Sequence, residues 1–260
     1  MPDQPYLSLV VPAYNEARRL PPTLSALASF CSSLAFSHEV LIVVERSSDR
    51  TLEIAASFAA QQAHFQVIDN LVHRGKGYAV RSGMQRAQGA HVFYMDADLS
   101  VPLAEVHRFL AEFEADPAVD VLIGNRQHVR SRITRRQSPL REKMGQAFNR
   151  ILHSLALVDL RDTQCGFKAF RQEAAGAIFA NQQLDSFAFD VEVLLLAERL
   201  GFGIRDLPVE WINSPESKVH IVRDSIAMLR DAWRIRRLVD ARMGKAERVR
   251  NVVAARITRC

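Results

Sequence analysis

Two carboxylates that stand one residue apart, Asp96 and Asp98, are the side chains of this sequence with the most evident chemical use. They follow His91–Met95, a mostly apolar run that is typical of a buried parallel strand. Ligands of open α/β sheets gather at the carboxyl ends of the strands, and two oxygen donors there suit a divalent cation that also holds a diphosphate. A capping turn is the alternative, because Asp is common where a strand ends. The pair predicts a metal site, and the capping turn stays an alternative.

Polar clusters also follow the other strands predicted in the first half of the chain. They are Pro12-Ala13-Tyr14-Asn15-Glu16, Glu45-Arg46-Ser47-Ser48-Asp49-Arg50-Thr51, and Asp69-Asn70 with the nearby His73-Arg74-Gly75-Lys76-Gly77. Each cluster alone has an ordinary explanation as a helix cap, a turn or a solvated charge. Parallel strands bring their carboxyl ends to one edge of a sheet, so the clusters together predict one shared ligand site.

The elements that must position these clusters alternate between strand and helix. Strands are predicted at residues 7–11, 40–44, 65–68, 91–95 and 119–123, and helices at 16–30, 51–62, 77–87 and 102–114. This order predicts an α/β fold with a doubly wound, mostly parallel, Rossmann-like sheet and helices on both faces.

The pattern changes after Gly124. The predicted elements are a mobile polar loop at 127–138, helices at 139–157 and 189–200, strands at 166–170 and 203–209, and a basic amphipathic helix at 224–239. No linker separates the two halves, so we expect one domain over residues 1–240 and a basic tail over 241–260.

Composition and charge restrict the partners. The chain has 260 residues, is 48% hydrophobic and carries a net charge of +5. Residues 126–150 hold eight Lys or Arg against one acid, a density that attracts phosphates of a lipid, a substrate or a nucleic acid. No recognised nucleic-acid-binding motif is present, so we expect no nucleic-acid partner.

Cysteine content and hydropathy bear on the compartment. Three cysteines without metal-ligand spacing favour a reducing compartment. No signal-type segment opens the sequence, and no apolar run approaches the roughly 18 residues that span a bilayer. We therefore expect a cytoplasmic protein that is soluble or peripheral at the inner face of a membrane.

Several motifs resemble those of inverting family 2 glycosyltransferases with the GT-A fold. In the first half they are Pro12–Glu16, Arg74–Gly77 and Asp96–Asp98. Further motifs are similar to polyprenyl-phosphate sugar transferases, the group of dolichyl-phosphate glucosyltransferases and mannose synthases: Asp162–Lys168, Phe189–Glu192, Val209–Trp211 and Ser217–Val219. The Gln-Cys-Gly-Phe-Lys piece is the most specific. One departure is Glu45–Ser48, where the family usually carries Asp-Asp-Gly-Ser; it leaves the nucleotide base open, although Glu45 keeps an acceptor for a base N–H.

The resemblance implies transfer of a hexose from a nucleotide-sugar of UDP-glucose or GDP-mannose type to a polyprenyl (dolichyl-like) phosphate. Residues 1–125 would bind the nucleotide-sugar and 126–240 the acceptor, with Mg²⁺ or Mn²⁺ held by Asp96 and Asp98. The implied catalytic residues are Asp98, Asp190, Gln164 and Lys168. The implied nucleotide-sugar-binding residues are Pro12, Tyr14, Asn15, Glu16, Glu45, Asp69, Lys76, Asp96, Ala97, Asp98, Arg126 and Lys218.

The acceptor determines whether a base is needed. A lipid monophosphate has a second pKa of about 6, so it is ionised near neutral pH and attacks once it is held in place. Cations are needed between two anions, which gives Lys168 and the basic stretch 126–143 a use; a membrane-binding loop is the alternative for that stretch. The helix at 224–239 would either pack on the domain or contact an anionic membrane.

Two other functions remain open on the sequence. The same fold would serve a soluble or polysaccharide acceptor, and the altered Glu45-Arg46 stretch permits a non-catalytic nucleotide-sugar-binding protein. The sugar, the base and the oligomeric state are not specified by these residues.

Overall fold

The computed structural model describes residues 4–135, 160, 162–212, 235, 237 and 239–241. The strands are β1 Leu7–Ala13, β2 His38–Glu45, β3 Phe65–Asn70, β4 His91–Met95, β5 Val121–Asn125, β6 Arg132–Arg135, β7 Phe167–Arg171, β8 Ile204–Pro208 and β9 Glu210–Ile212. The helices are α1 Leu20–Ser32, α2 Thr51–Ala59, α3 Lys76–Met84, α4 Glu105–Ala115, α5 Gln172–Asn181 and α6 Phe189–Arg199.

Seven strands form one sheet in the order β3-β2-β1-β4-β7-β5-β8. The pairs β1–β2, β1–β4, β2–β3 and β5–β8 are parallel, whereas β7 runs antiparallel between β4 and β5. The predicted mostly parallel α/β architecture is therefore confirmed. The parallel strands are mostly apolar along their length because helices cover the sheet on both faces.

Alternate residues of the central strands face two separate cores. Tyr94 belongs to the core that α3, α5 and α6 cover, whereas Phe93 and Met95 belong to the core beneath α1, α2 and α4. This is the period of two that a strand imposes on its side chains. Because β1, β2, β3 and β4 run parallel, their carboxyl ends lie along one edge of the sheet, and the polar clusters follow there.

The antiparallel strand β7 brings the second half of the chain to that edge. Its register pairs Met95 with Phe167 and Tyr94 with Lys168. Beyond the pairing, the Asp96 N–H donates to the carbonyl oxygen of Gly166 at 3.1 Å. The segment that precedes β7 thus lies directly beside the Asp96 loop.

The region predicted as a loop at residues 127–138 is partly a strand. Residues 132–135 form β6, which pairs in parallel with β9. Of the β6 residues only Ile133 is apolar, so the alternation that indicates a strand is missing and pairing with a distant segment decides the conformation.

A second difference is helix α5, which the sequence analysis did not predict. Its apolar residues Ala174, Ala175, Ile178 and Phe179 are buried at helical spacing, so the signal was present. The predicted helix at 139–157 and most of the one at 224–239 lie outside the described residues. Among the residues that are described, no helix is both long enough and apolar enough to span a membrane.

Candidate active site

The loop after β4 holds the two predicted metal ligands. Asp98 Oδ1 accepts hydrogen bonds from the N–H and hydroxyl of Ser100, at 3.0 and 2.7 Å, and Leu99 between them has a positive φ of 47°. Arg19 Nη1 lies 3.6 Å from Asp98 Oδ2. Asp98 therefore closes a turn with one oxygen, as the capping alternative requires, and keeps its second oxygen beside a cation.

Lys76 forms an ion pair with the other predicted metal ligand, Asp96. Its Nζ lies 2.5 Å from Asp96 Oδ1. Burial alone would lower the pKa of Lys76, but the negative charges of Asp96, Asp190 and Asp98 outweigh it and the pKa is raised. Lys76 is thus charged, and it stands at the first position of α3 among the carboxylates of the site.

The loop that leads into Lys76 is built on Glu45. Glu45 is 1% exposed, and its carboxylate accepts hydrogen bonds from the N–H groups of Arg74 and Gly75, each at 3.0 Å. Gly75 has a φ of 127°, and a Cβ there would lie 2.4 Å from the carbonyl oxygen of Asp185. Glu45, predicted to face a nucleotide base, is therefore engaged by this loop.

An aromatic pair covers the same corner of the site. The Tyr14 ring stacks on His73 with 3.7 Å between centroids and 5° between planes, and His73 Nδ1 lies 2.6 Å from Glu45 Oε2. Tyr14 is 37% exposed, so the pair lies at the surface of this corner of the site. His73 was not among the predicted site residues, because only the tertiary fold brings it to Tyr14.

The ends of β1 and β2 are joined by hydrogen bonds. Asn15, with a φ of 52°, accepts at Oδ1 from the Ser48 N–H at 2.8 Å and donates its own N–H to Ser47 Oγ at 3.0 Å. The Glu16 N–H donates to Thr51 Oγ1 at 2.7 Å. These contacts give two predicted ligand-binding residues a role in shaping the loops.

Three more predicted residues lie at this edge in different surroundings. Pro12 is half-buried near the end of β1, and Asp69 is exposed on β3. Ala97 is buried between the two acids, and its carbonyl oxygen accepts from Thr23 Oγ1 at 2.5 Å. Lys218 and residues 136–143 of the basic stretch lie outside the described residues.

Arg126 reaches the site from β5 and is held by Asp162. Its Nε and Nη2 each donate to this carboxylate at 2.8 Å. Burial opposes both charges, but their attraction outweighs it, so the pKa of Arg126 is raised and that of Asp162 is lowered. A small pocket beside the pair is lined by Asp96, Ser100, Arg126, Gly166 and Trp211, among others. Arg126 is therefore an oriented cation next to Asp96.

The segment that precedes β7 supplies the remaining predicted residues. Gln164 Nε2 is buried and has no hydrogen-bond partner among the described residues, so it remains a donor for a ligand. Burial raises the pKa of Cys165 to about 11, which keeps the thiol neutral, consistent with packing and not with nucleophilic attack.

Lys168 occupies a different place from the one expected. Its Nζ is fully buried and donates to Asp190 Oδ1 at 2.5 Å and to the Cys165 carbonyl oxygen at 2.6 Å. β7 therefore places this side chain inside the core, behind Asp190. A role of Lys168 between two phosphates stays a prediction.

The carboxylates also bear on the predicted metal. Within the described part of the chain, no group of three or more His, Cys, Asp or Glu side chains could hold an ion. Asp96 and Asp98 supply hard oxygen donors at a partly exposed loop, which fits a magnesium-like ion that takes one or two carboxylates and completes its shell with phosphate and water. The two carboxylates therefore fit such a cation only when a bound substrate supplies further ligands.

Comparison of the sequence with known proteins gives one family. The family described as Glycosyl transferase family 2 matches residues 8–179. A dolichyl-phosphate beta-glucosyltransferase of Dictyostelium discoideum is 33% identical over 245 residues, which cover 90% of this chain and 75% of that protein. The Homo sapiens protein of the same name is 31% identical over 224 residues, covering 82% of this chain and 69% of that protein.

Solved structures with the same fold carry nucleotides and metals. Glucosyl-3-phosphoglycerate synthase from Mycobacterium tuberculosis, in complex with Mg²⁺ and UDP, has a TM-score of 0.63 at 15% identity and covers 89% of this chain and 78% of that chain. Mannosyltransferase PcManGT from Pyrobaculum calidifontis, with GDP-Man and Mn²⁺, has a TM-score of 0.59 at 17% identity and covers 98% and 76%.

The two kinds of likeness agree with each other. The solved structures confirm the predicted GT-A fold, and the relatives match the chain over most of its length. The chain is therefore a glycosyltransferase with the GT-A fold, and it belongs to glycosyl transferase family 2.

Proposed function

We propose that this enzyme transfers a hexose, with glucose as the first candidate, from a nucleotide-sugar to a polyprenyl phosphate of the dolichyl type. The observation that carries the proposal is the meeting of Asp96 and Asp98 with the cations Lys76 and Arg19 at the end of β4. Such a set of charges suits a leaving diphosphate with its metal. The names of the curated relatives support glucose and a dolichyl phosphate acceptor.

The donor would bind along the edge where the first four strands end. Tyr14 would lie beside the nucleotide base, and Glu45 would support the base-binding corner through the loop that it holds. Lys76 and Arg126 would face the phosphates. Asp96 and Asp98 would hold Mg²⁺ or Mn²⁺, which as a Lewis acid neutralises charge on the departing diphosphate. The remaining proposed contacts to the nucleotide-sugar are Pro12, Asn15, Glu16, Asp69, Ala97 and Lys218.

A phosphate acceptor explains why positioning is enough. Its oxygen is already ionised near neutral pH, so the protein has to hold two anions close together and needs no base for the attack. Gln164, whose Nε2 has no partner in the described part of the chain, would donate to the sugar or the acceptor phosphate, and Asp190 would accept from a sugar hydroxyl. Basic residues that begin with Arg126 would screen the repulsion between the anions.

Product analysis tests the proposal. The enzyme is incubated with UDP-glucose or GDP-mannose, with Mg²⁺ or Mn²⁺, and with either a polyprenyl phosphate or soluble sugars and phosphorylated small molecules. We expect a metal-dependent glycolipid. Transfer to soluble acceptors alone would show that the proposed acceptor is wrong.

Thermal-shift measurements with UDP, GDP and their sugars identify the donor, since bound ligand adds stability as RT ln(1 + [L]/Kd).

The Asp98→Asn variant tests the site itself. We expect a loss of transfer of about a hundredfold, typical for removing one charged group that stabilises a transition state, and loss of the metal-dependent part of nucleotide binding. Asp116→Asn is the matched control, because Asp116 pairs with Arg205 at the far edge of the sheet. Unchanged metal-dependent binding in Asp98→Asn would exclude this residue as a ligand.

A further inference from the structure

Tyr94 and Lys168 lie side by side in the core, directly behind Asp190. The register of β4 and β7 pairs Tyr94 with Lys168, and Asp190 is in the first turn of α6. Tyr94 and Lys168 are 0% exposed and Asp190 is 2% exposed. Polar and charged groups in such a core are costly unless each is paired, so their arrangement is specific.

The hydrogen bonds of this cluster converge on a single atom. Tyr94 Oη donates to Asp190 Oδ1 at 2.5 Å, and Lys168 Nζ donates to the same oxygen at 2.5 Å. Lys168 is held in turn by the Cys165 carbonyl oxygen at 2.6 Å. Within the described part of the chain, both hydrogen bonds to Asp190 end on Oδ1, so Oδ2 is the oxygen that remains for a ligand.

The cluster adjoins the charged residues of the candidate active site. Lys76 Nζ lies 6.0 Å from the ring centroid of Phe189, the residue that precedes Asp190, and 2.5 Å from Asp96 Oδ1. The cluster therefore lies beside the pair Lys76–Asp96 of the candidate active site.

We propose that Tyr94 and Lys168 are positioning residues, which fix the Asp190 carboxylate through Oδ1 so that Oδ2 accepts a hydrogen bond from a hydroxyl of the donor sugar. This inference rests on the proposed function and extends it: it assigns Tyr94, which no motif indicated, and it gives Lys168 a role through Asp190 in place of contact with phosphate. In the proposed donor site the nucleotide would lie nearer Tyr14, so we expect the effect to be confined to the sugar.

Tyr94→Phe is the mildest test, because it keeps the ring in the core and removes one hydroxyl. We expect kcat to fall about tenfold, the effect of losing one hydrogen bond to a charged group. Affinity for the nucleotide-sugar should weaken several-fold, while affinity for the free nucleoside diphosphate stays unchanged. The matched control is Tyr6→Phe, which also loses a tyrosine–carboxylate hydrogen bond, to Glu114 at 3.0 Å, but at the opposite edge of the sheet.

A double-mutant cycle decides whether Tyr94 acts through Asp190. In the Asp190→Asn background, Tyr94→Phe should cause no further loss of kcat, because the carboxylate that it orients is gone. Equal losses in both backgrounds would overturn the proposal, as would unchanged kinetics in Tyr94→Phe. Circular dichroism establishes that each variant is folded.

The binding measurements keep the test independent of the acceptor. They use the nucleotide-sugar that stabilises the wild-type enzyme most, and they need no polyprenyl phosphate. If Asp190→Asn does not fold, Tyr94→Phe alone decides: equal weakening of the nucleotide-sugar and the free nucleotide would refute a role toward the sugar. Failure of transfer to polyprenyl phosphate would instead count against the proposed acceptor.

Discussion

At the scale of single residues, the site is made of ion pairs that orient cations toward one place. Arg126 is the clearest case, because Asp162 holds its guanidinium in a two-point hydrogen-bonded pair beside the pocket that Asp96 lines. A flexible arginine would lose conformational entropy each time it met a phosphate, and a fixed one does not. The same principle applies to Lys76, which is held by Asp96.

The Arg126–Asp162 pair predicts a pH dependence of stability. The pKa of Asp162 is lowered from its ordinary 3.8. As the pH falls, the Asp162 carboxylate therefore becomes protonated more readily in the unfolded chain than in the folded protein. The stabilisation is therefore complete above this value and is lost as the pH falls through the lower, folded pKa. We expect Asp162→Asn to cost up to about 3 kcal/mol at neutral pH, and the difference in Tm from wild type to shrink in acid.

Thermal unfolding from neutral pH to about pH 3 measures this dependence. Asp116→Asn serves again as the control, because its exposed pair with Arg205 is screened by solvent and should matter less. A difference between Asp162→Asn and wild type that stayed constant over the whole range would contradict the assignment.

At the scale of elements, the insertion of β7 between β4 and β5 assembles the site. It places Gly166 against the Asp96 loop so closely that a Cβ there would lie 1.9 Å from Asp96 Oδ2. It also places Lys168 under Asp190. The edge that carries Asp96 therefore depends on a strand from the second half of the chain.

This close approach predicts that Gly166→Ala displaces the Asp96 carboxylate. We expect transfer activity to fall about a hundredfold, since small displacements of reacting groups have effects of that size. Gly176→Ala is the matched control: it lies in α5 with no atom within 4 Å of the added Cβ. It should keep full activity and gain about 0.5–1 kcal/mol of stability, because alanine favours a helix. Full activity of Gly166→Ala in steady-state assays would refute the contact.

At the scale of the whole molecule, charge is distributed unevenly. The net charge is +5, and residues 126–150 alone hold eight Lys or Arg against one acid. Within the described part of this stretch, Arg130 and Arg132 are exposed. This basic stretch would suit the anionic lipid surface at which the proposed acceptor would lie.

Vesicle co-sedimentation checks this at low and high salt. We expect the enzyme to bind vesicles that contain anionic lipid, and binding to decrease as salt rises, because exposed charges are screened. Neutral vesicles are the control. Equal binding to both kinds of vesicle, without dependence on salt, would refute an electrostatic contact with the membrane.

The sequence by itself determined the strands of the first half and the edge at which the site lies. Apolar runs and turn residues are local signals, and the rule that parallel strands share their carboxyl edge converts them into a position in space. The sequence therefore predicts that Asp96, Lys76 and Asn15 are neighbours, and the fold brings their loops to one edge. The motif at 162–168 indicated site residues through its resemblance to polyprenyl-phosphate sugar transferases, and not through its position in a predicted sheet.

Only the tertiary structure decided how these residues are used. Three contacts each join residues far apart in the chain: the ion pair of Lys168 with Asp190, the hydrogen bond of Glu45 to Arg74, and the stacking of His73 on Tyr14. The strand β6 likewise forms because β9 lies beside it, and its own sequence lacks alternation. Local spacing carries no information about such contacts, because their energy depends on which distant groups the fold buries together.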